Sequence, residues 1–246
     1  MEAKAIRFPN IKDEAARITN KASIYKVVEE IRKKLNPVNN DGKKSSRKER
    51  QLKKMQQSCF KDLFSMRQIN FSGGLVHHLV KRQSVSTDTS IMEFNFNGKG
   101  AQFTRNEFGL ITGLNMGPIP TEKPLHTSDR IRSEYFNNED KITNAMVKDA
   151  FTYTKHFMEE DDMVKLSLIY LLECGILGKE SQTHIDNDHL AMVEDLEYFN
   201  SYPWGTLSYN STMTSLAKAL LKKGGVMNPS GTYSLGGFTL AFQVYH

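Results

Sequence analysis

The clearest pattern of apolar and polar positions lies in residues 91–103, IMEFNFNGKGAQF. Phe94 and Phe96 alternate with polar neighbours, which predicts a strand with one buried face. The pair Asn97 and Gly98 favours a two-residue type I′ turn, because both positions of that turn need a positive φ. The pattern therefore predicts an antiparallel β-hairpin whose aromatic face is buried. We expect that face to pack on the short helix that follows and on the apolar helix at 163–177, since two strands alone cannot bury a face.

A short helix is expected directly after the hairpin. Thr104 and Glu107 have the spacing of a capping box. In a capping box the side chain of each of the two residues accepts a hydrogen bond from the backbone N–H of the other. Phe108 and Ile111 then fall on one face of the helix. Gly113 is expected to end it, since glycine readily adopts the left-handed conformation found after helices.

Helical periodicity dominates the rest of the chain. Residues 11–35 predict one amphipathic helix, and residues 47–57 are polar enough for a solvated helix. Residues 163–177 are apolar nearly all round, so a helix there should be central. The fold class predicted is α+β, mainly α-helical, with a small antiparallel hairpin at about 91–103. Other predicted helices begin near Ser72, Thr143, Asp188, and Ser208 or Ser211, while residues 233–245 fit a strand or a helix.

Composition predicts two regions. Residues 1–57 have few large apolar side chains and are expected to form an N-terminal helix plus a basic linker or arm that adds little to the core. Residues 58–246 are expected to form a single mainly helical domain. The two cysteines are too few for a disulfide framework, which favours a reducing intracellular compartment. The longest apolar stretch, 166–177, is too short to span a bilayer, so no membrane partner is expected.

The net charge of +5 is concentrated in one segment. Residues 43–54 hold seven basic side chains and a single acid, so the remaining chain is close to neutral. Three interpretations stay open for this segment: a solvated linker, a nuclear import signal, or a weak contact with nucleic-acid phosphates. The candidate contact residues are Lys43, Lys44, Arg47, Lys48, Arg50, Lys53 and Lys54.

Residues 103–114, FTRNEFGLITGL, resemble the "RF…EFALITGL" signature of a plant domain of unknown function. Blocks at 166–177, 193–205 and 233–244 match the same family in order, so the resemblance covers about residues 58–246. It implies a plant protein derived from Mutator-like transposable elements, and a nuclear location. In that family the domain often lies N-terminal to a cysteine protease domain of the ubiquitin-like-protein (SUMO) protease family. The resemblance implies no catalytic residue within the domain itself.

A cysteine protease needs a histidine base, an acid that orients it and an oxyanion donor. The SUMO-protease family supplies them in the order His, Asp, Gln, Cys, with the cysteine in an Asp-Cys-Gly setting. Here Cys174 lies in Glu-Cys-Gly, with no glutamine between it and His156, and Cys59 has no histidine before it. Both cysteines are therefore expected to be structural.

Four residues have the side chains of metal ligands, namely His184, Asp186, Asp188 and His189. No second group of ligands with suitable spacing accompanies them, and Asp188 is better used as a helix cap. We therefore expect neither a metal nor a cofactor, and no catalytic residue.

The leading hypothesis is a non-catalytic interaction or scaffold domain that binds a protein partner. The first alternative is a DNA- or chromatin-binding accessory domain that uses the basic arm at 43–54. The second is the N-terminal part of a cysteine-type deSUMOylating peptidase whose catalytic domain lies outside this chain.

Overall fold

The computed structural model of the protein describes residues 3–9, 11, 17–38, 42–122, 128–222, 225, 226, 228 and 232–245. It has the mainly helical α+β fold that the sequence predicted. The helices are α1 (Ile24–Lys34), α2 (Ser46–Gln56), α3 (Lys61–Ser65), α4 (Gly73–Lys81), α5 (Arg105–Thr112), α6 (Arg130–Phe136), α7 (Asn144–Tyr153), α8 (Asp162–Tyr170), a π-helix (Leu171–Ile176), α9 (Asn187–Met192), α10 (Leu196–Ser201), α11 (Trp204–Lys218) and α12 (Thr239–Tyr245). The strands are β1 (Ile18–Asn20), β2 (Met92–Phe96), β3 (Lys99–Phe103) and β4 (Tyr233–Leu235).

The predicted hairpin is confirmed. Strands β2 and β3 pair antiparallel, with Phe96 opposite Lys99 at the turn. Asn97 and Gly98 have φ values of 53° and 91°, as a type I′ turn requires. Phe94 is 1% exposed, so the aromatic face of the strand is the buried one.

The hairpin packs on a cluster of aromatic rings. The ring of Phe94 lies 5.6 Å from that of Phe242 in α12. Phe103 of β3 contacts Phe108 of α5 and Tyr209 of α11, at ring distances of 6.3 and 6.1 Å. The α5 contact was expected, but the other expected partner, the helix at 163–177, packs against α1 and α7 instead.

Local capping signals were accurate. The capping box of Thr104 and Glu107 is present, and Gly113 ends α5 with a φ of 67°. The hydroxyl groups of Ser72 and Thr143 accept backbone N–H bonds at the starts of α4 and α7, as predicted. Each cap satisfies a donor that the first turn of a helix leaves unpaired.

The prediction of one helix over residues 11–35 was wrong in its first half. Residues 18–20 form β1, which pairs in parallel with β4 so that Ile18 lies opposite Tyr233, and α1 begins only at Ile24. Residues 12–16 of that prediction lie outside the described part of the chain. Local periodicity could not reveal a strand whose partner is near the other end of the sequence. The ambiguous segment 233–245 contains both alternatives, β4 and then α12.

The expectation that residues 1–57 add little to the core was also wrong. Ile24, Val27 and Ile31 of α1 are at most 1% exposed, and Met55 of α2 is fully buried. These side chains belong to the same hydrophobic cluster as the rest of the protein. A few apolar residues suffice because they share one helical face. The division at residue 57 stays a prediction.

The central helix was predicted correctly in position but not in geometry. Every residue of α8 is buried, and the helix continues as a π-helix. The Leu177 N–H donates to the carbonyl of Leu172, five residues back, at 2.8 Å. A side chain at Gly175 would meet Ile24, so glycine lets α1 approach closely. Among the described helices, none is long and apolar enough to cross a membrane.

Two helix starts after residue 185 differ from the prediction. Asp186, not Asp188, caps α9, and Asp195 then caps a separate helix, α10. Helix α11 begins at Trp204, well before Ser208, and that indole is 1% exposed. Asp186 and Asp188 both stand near the start of α9, so spacing alone did not select the cap, and no side chain caps α11.

We predict that Phe94→Ala lowers the free energy of unfolding by roughly 3–5 kcal/mol, because it leaves a cavity beside Phe242. Urea denaturation followed by circular dichroism would measure the loss. Lys99→Ala on the exposed end of β3 is the control, and we expect a change within about 0.5 kcal/mol.

Asn95 is not a suitable control, although it follows Phe94. Its amide donates to the carbonyl of Lys4 at 2.8 Å and its oxygen accepts the Gly98 N–H at 2.9 Å. If Lys99→Ala cost as much as Phe94→Ala, the assignment of the buried face would be wrong.

Candidate functional site

The basic segment 43–54 includes most of α2, and one side of this helix is neutralised. Arg50 Nε lies 2.6 Å from Glu160 Oε1, and Lys54 Nζ lies 2.5 Å from Asp161 Oδ1. Both acids precede α8, against which α2 packs. The pairs are partly exposed, so they contribute little to the stability of the fold. They do, however, neutralise two of the residues that were predicted to contact a ligand.

The other predicted contact residues lie in two places. Arg47 and Lys48, in the first turn of α2, line a cleft. Lys43, Lys44 and Lys53 lie on the exposed surface. The segment thus has a side that faces Glu160 and Asp161, a side that lines the cleft, and exposed positions, and its role in binding stays a prediction.

The cleft lies between the end of α1, the start of α2 and the segment after α7, and has a volume of about 510 Å³. Its walls carry no acidic side chain among the described residues. We call it the cationic cleft. Its basic side chains are Lys33, Lys34, Arg47, Lys48 and Lys155.

Lys34 is held rigidly in the wall of the cationic cleft. Its ammonium donates to the backbone carbonyl of Phe151, and to those of Thr152 and Thr154 at 2.7 and 3.2 Å. These are carbonyls at the end of α7, where helices leave acceptors free. Burial lowers the pKa of Lys34, and no carboxylate compensates for it. Lys34 therefore contributes a fixed positive charge rather than a free donor.

A buried network holds the start of α8. Asp162 is fully buried and accepts two bonds from the Arg130 guanidinium, at 2.5 and 3.0 Å. Tyr135 donates to it at 2.6 Å and the Glu159 N–H at 2.9 Å. Burial alone would raise the pKa of Asp162, but the bonds from Arg130 and Tyr135 outweigh it and lower the pKa. Burial and the bond to Asp162 raise the pKa of Tyr135 to about 12.

The same network continues to a second acid. Lys165 Nζ lies 3.0 Å from Glu194 Oε2, and Arg130 lies 3.7 Å from the same oxygen. The backbone N–H of Ile131 donates to Glu194 as well. All of these groups are held by partners within the fold, so their arrangement fixes α6 onto α8.

A separate buried cluster surrounds Glu173 in the π-helix. Its carboxylate, which is fully buried, accepts a bond from His189 Nδ1 and lies 3.2 Å from Lys179 Nζ. The ring of His189 meets that of Trp204 edge-on at 5.1 Å. A carboxylate and a histidine are a common catalytic pair, but here both side chains are buried, and the thiol of the adjacent Cys174 lies 3.6 Å from the carbonyl of Asn144.

Neither cysteine is activated. Burial, and next the charge of Glu173, raise the pKa of the Cys174 thiol to about 12. Burial also raises the pKa of Cys59 to about 12. A nucleophilic cysteine needs the opposite shift, toward a stable thiolate.

The four metal-like residues do not converge. Asp186 caps α9, His189 faces Glu173 in the interior, and His184 lies on the surface. In the part of the chain that the structure describes, no group of three or more His, Cys, Asp or Glu side chains could hold a metal ion.

Sequence reasoning missed the residues that complete these sites. Lys155 is far from the basic segment in sequence, and Lys33 and Lys34 lie at the end of the preceding helix, so the three meet around one cleft only in the fold. For Glu173 a signal existed, because a lone acid in an apolar helix must be paired when it is buried.

We predict that Asp162→Asn destabilises the protein by roughly 3–5 kcal/mol at neutral pH, because Arg130 loses its buried partner. The pKa of Asp162 in the folded protein lies below its ordinary value of 3.8. The stabilisation is therefore complete above about pH 4 and is lost as the pH falls through the lower, folded-state pKa.

Urea denaturation between pH 7 and pH 2.5 would test this expectation. The difference between the wild type and Asp162→Asn should be constant down to about pH 4 and shrink below it. Asp149→Asn, which removes an exposed carboxylate from α7, is the control and should show no such difference. A difference that grew with acidity would contradict the assignment.

Comparison with known proteins gives one match. No curated protein and no solved structure matches the chain. A family model described as "Domain of unknown function (DUF1985)" matches residues 79–215, from the end of α4 into α11, which is more than half of the chain. The resemblance to a domain of unknown function is thereby confirmed, and the chain belongs to this family.

Proposed function

We propose that this domain is a non-catalytic interaction module that binds a protein partner. One observation supports the proposal: the side chains that could act as an acid, a base or a nucleophile are already held by contacts within the fold or by burial. Glu173 and His189 form an enclosed pair, Asp162 is saturated by hydrogen bonds, and the pKa values of both thiols are raised to about 12. The largest of the clefts described is lined by cations instead, an arrangement suited to binding.

The proposed context is a transposon-derived plant protein that works in the nucleus. It rests on the sequence blocks at 103–114, 166–177, 193–205 and 233–244, which resemble the plant domain found beside SUMO-protease domains. In this context the module would bring a partner to a neighbouring deSUMOylating peptidase domain, while the peptidase supplies the chemistry.

A SUMO-isopeptidase assay tests the non-catalytic proposal. The protein is incubated with a SUMO-conjugated substrate, and a SUMO protease serves as the positive control. We expect no release of SUMO by the wild type or by Cys174→Ala, because the raised pKa of the partly buried Cys174 thiol keeps it protonated. Release by the wild type that Cys174→Ala abolished would overturn the proposal.

A second candidate function is a DNA- or chromatin-binding accessory role. The observation that favours it is the exposure of Lys43, Lys44 and Lys53 beside the cationic cleft. A test by deleting residues 1–57 is unsuitable, because α1 and α2 bury side chains in the core and their loss would unfold the domain.

Charge substitutions give a cleaner test. If the domain binds DNA, the affinity should fall steeply with salt, and Lys44→Gln with Lys53→Gln should weaken binding and flatten the salt dependence by about one unit of slope per lost contact. Lys141→Gln makes the same kind of charge change on the exposed surface outside α2 and is the control. Equal affinities for all variants at every salt concentration would remove this candidate.

A further inference from the structure

We propose that the cationic cleft is a binding site for a terminal phosphate group, that is, the dianion of a phosphate monoester. The inference deepens the proposed interaction role, on which it rests, by naming the chemistry that the module recognises. A phosphorylated side chain of a partner protein and a free phosphorylated small molecule both present this group.

The first argument is charge. Five basic side chains from three parts of the chain meet around one space of about 510 Å³, and no acidic side chain lines it among the described residues. Lys33 also lies 3.9 Å from Glu29 of its own helix, an exposed pair that offsets little of this charge. A phosphate monoester carries about −1.5 to −2 charges and three acceptor oxygens. Arg47 donates from Nη2 to the carbonyl of Glu159 at 2.9 Å. A guanidinium has further N–H groups, which suit a phosphate.

The second argument is the half-buried Lys34. Its hydrogens are bonded to carbonyl oxygens, so its charge is neither hydrated fully nor balanced by a carboxylate. A fixed charge of this kind attracts an anion without any rearrangement of the site. The lowered pKa of Lys34 agrees with an uncompensated position, and a bound dianion would reverse the shift.

The third argument is the start of α2. Ser45, Arg47 and Lys48 line the cleft, so the N-terminus of this helix opens toward it. Ser45 Oγ accepts the Lys48 N–H at 3.4 Å, whereas the earlier N–H groups of a first turn have no acceptor within their own helix. Backbone donors and the helix dipole together favour an anion at this position.

A monoester fits better than a nucleic-acid backbone because the positive surface is short. Further along α2, Arg50 and Lys54 are paired with Glu160 and Asp161. A strand of successive phosphates would meet these acids. Phe157 and Met163 also line the cleft and offer an apolar wall to the group that carries the phosphate.

Fluorescence anisotropy and calorimetry with the full chain would test the site. The probes are a neutral pentapeptide with a central phosphoserine, the same peptide without phosphate, inorganic phosphate, and a single-stranded oligonucleotide. We expect the phosphopeptide to bind and the unmodified peptide not to bind. Inorganic phosphate distinguishes the two sources. If it binds as tightly as the phosphopeptide, the site is assigned to free phosphorylated molecules. If the phosphopeptide binds more tightly, the site is assigned to a phosphorylated protein.

Two cleft variants and one matched control locate the binding. Lys155→Gln and Arg47→Gln should each weaken phosphate binding by about tenfold or more, because each removes a charge-assisted contact. Lys53→Gln changes an exposed lysine on α2 outside the cleft and should leave the affinity unchanged. Thermal unfolding should be unchanged by Lys155→Gln and Lys53→Gln, since both side chains are exposed, and Lys155→Gln therefore keeps the test independent of the bond from Arg47 to the Glu159 carbonyl.

Two results would overturn the proposal. One is that none of the phosphate probes binds. The other is that the oligonucleotide binds as tightly as the phosphopeptide and Lys53→Gln weakens binding as much as Lys155→Gln. Neither result alters the non-catalytic proposal, which is measured independently with the SUMO conjugate.

Discussion

Buried negative charge on the central helix is the constraint on which the surrounding structure depends. Asp162 begins α8 and Glu173 lies within the π-helix that continues it, and both are fully buried. An unpaired carboxylate in that position would cost several kcal/mol. The compensating groups come from elsewhere in the chain. Arg130 in α6 pairs with Asp162, whereas Lys179 and, in α9, His189 contact Glu173. The positions of α6 and α9 are therefore set by their contacts with Asp162 and Glu173, and apolar side chains pack between these helices and the central one.

The sequence predicted those parts of the fold whose causes are local. The hairpin followed from alternation and from the Asn97-Gly98 turn, and α5 followed from its capping box. The central helix followed from its apolar composition. Strand β1 could not be predicted in this way, because its hydrogen-bond partners belong to β4. The π-geometry at Leu171–Ile176 also had no signal in the pattern of apolar and polar residues.

The candidate site shows the same division between local and long-range causes. A cluster of lysines and arginines marked residues 43–54, but only the fold shows that Arg50 and Lys54 are paired with acids. Only the fold, too, brings Lys34 and Lys155 to the same cleft as the start of α2. A count of charges along the sequence cannot separate neutralised cations from those that face a ligand, because pairing depends on tertiary contacts.

The parallel pairing of β1 with β4 has a consequence for how the chain folds during synthesis. Strand β1 leaves the ribosome early, but its only paired strand in the described structure ends at Leu235. Before β4 has been synthesised, this sheet cannot hold α1 against the π-helix, and apolar surface of the nascent chain stays exposed to water. Such late closure slows folding and favours aggregation of incomplete chains.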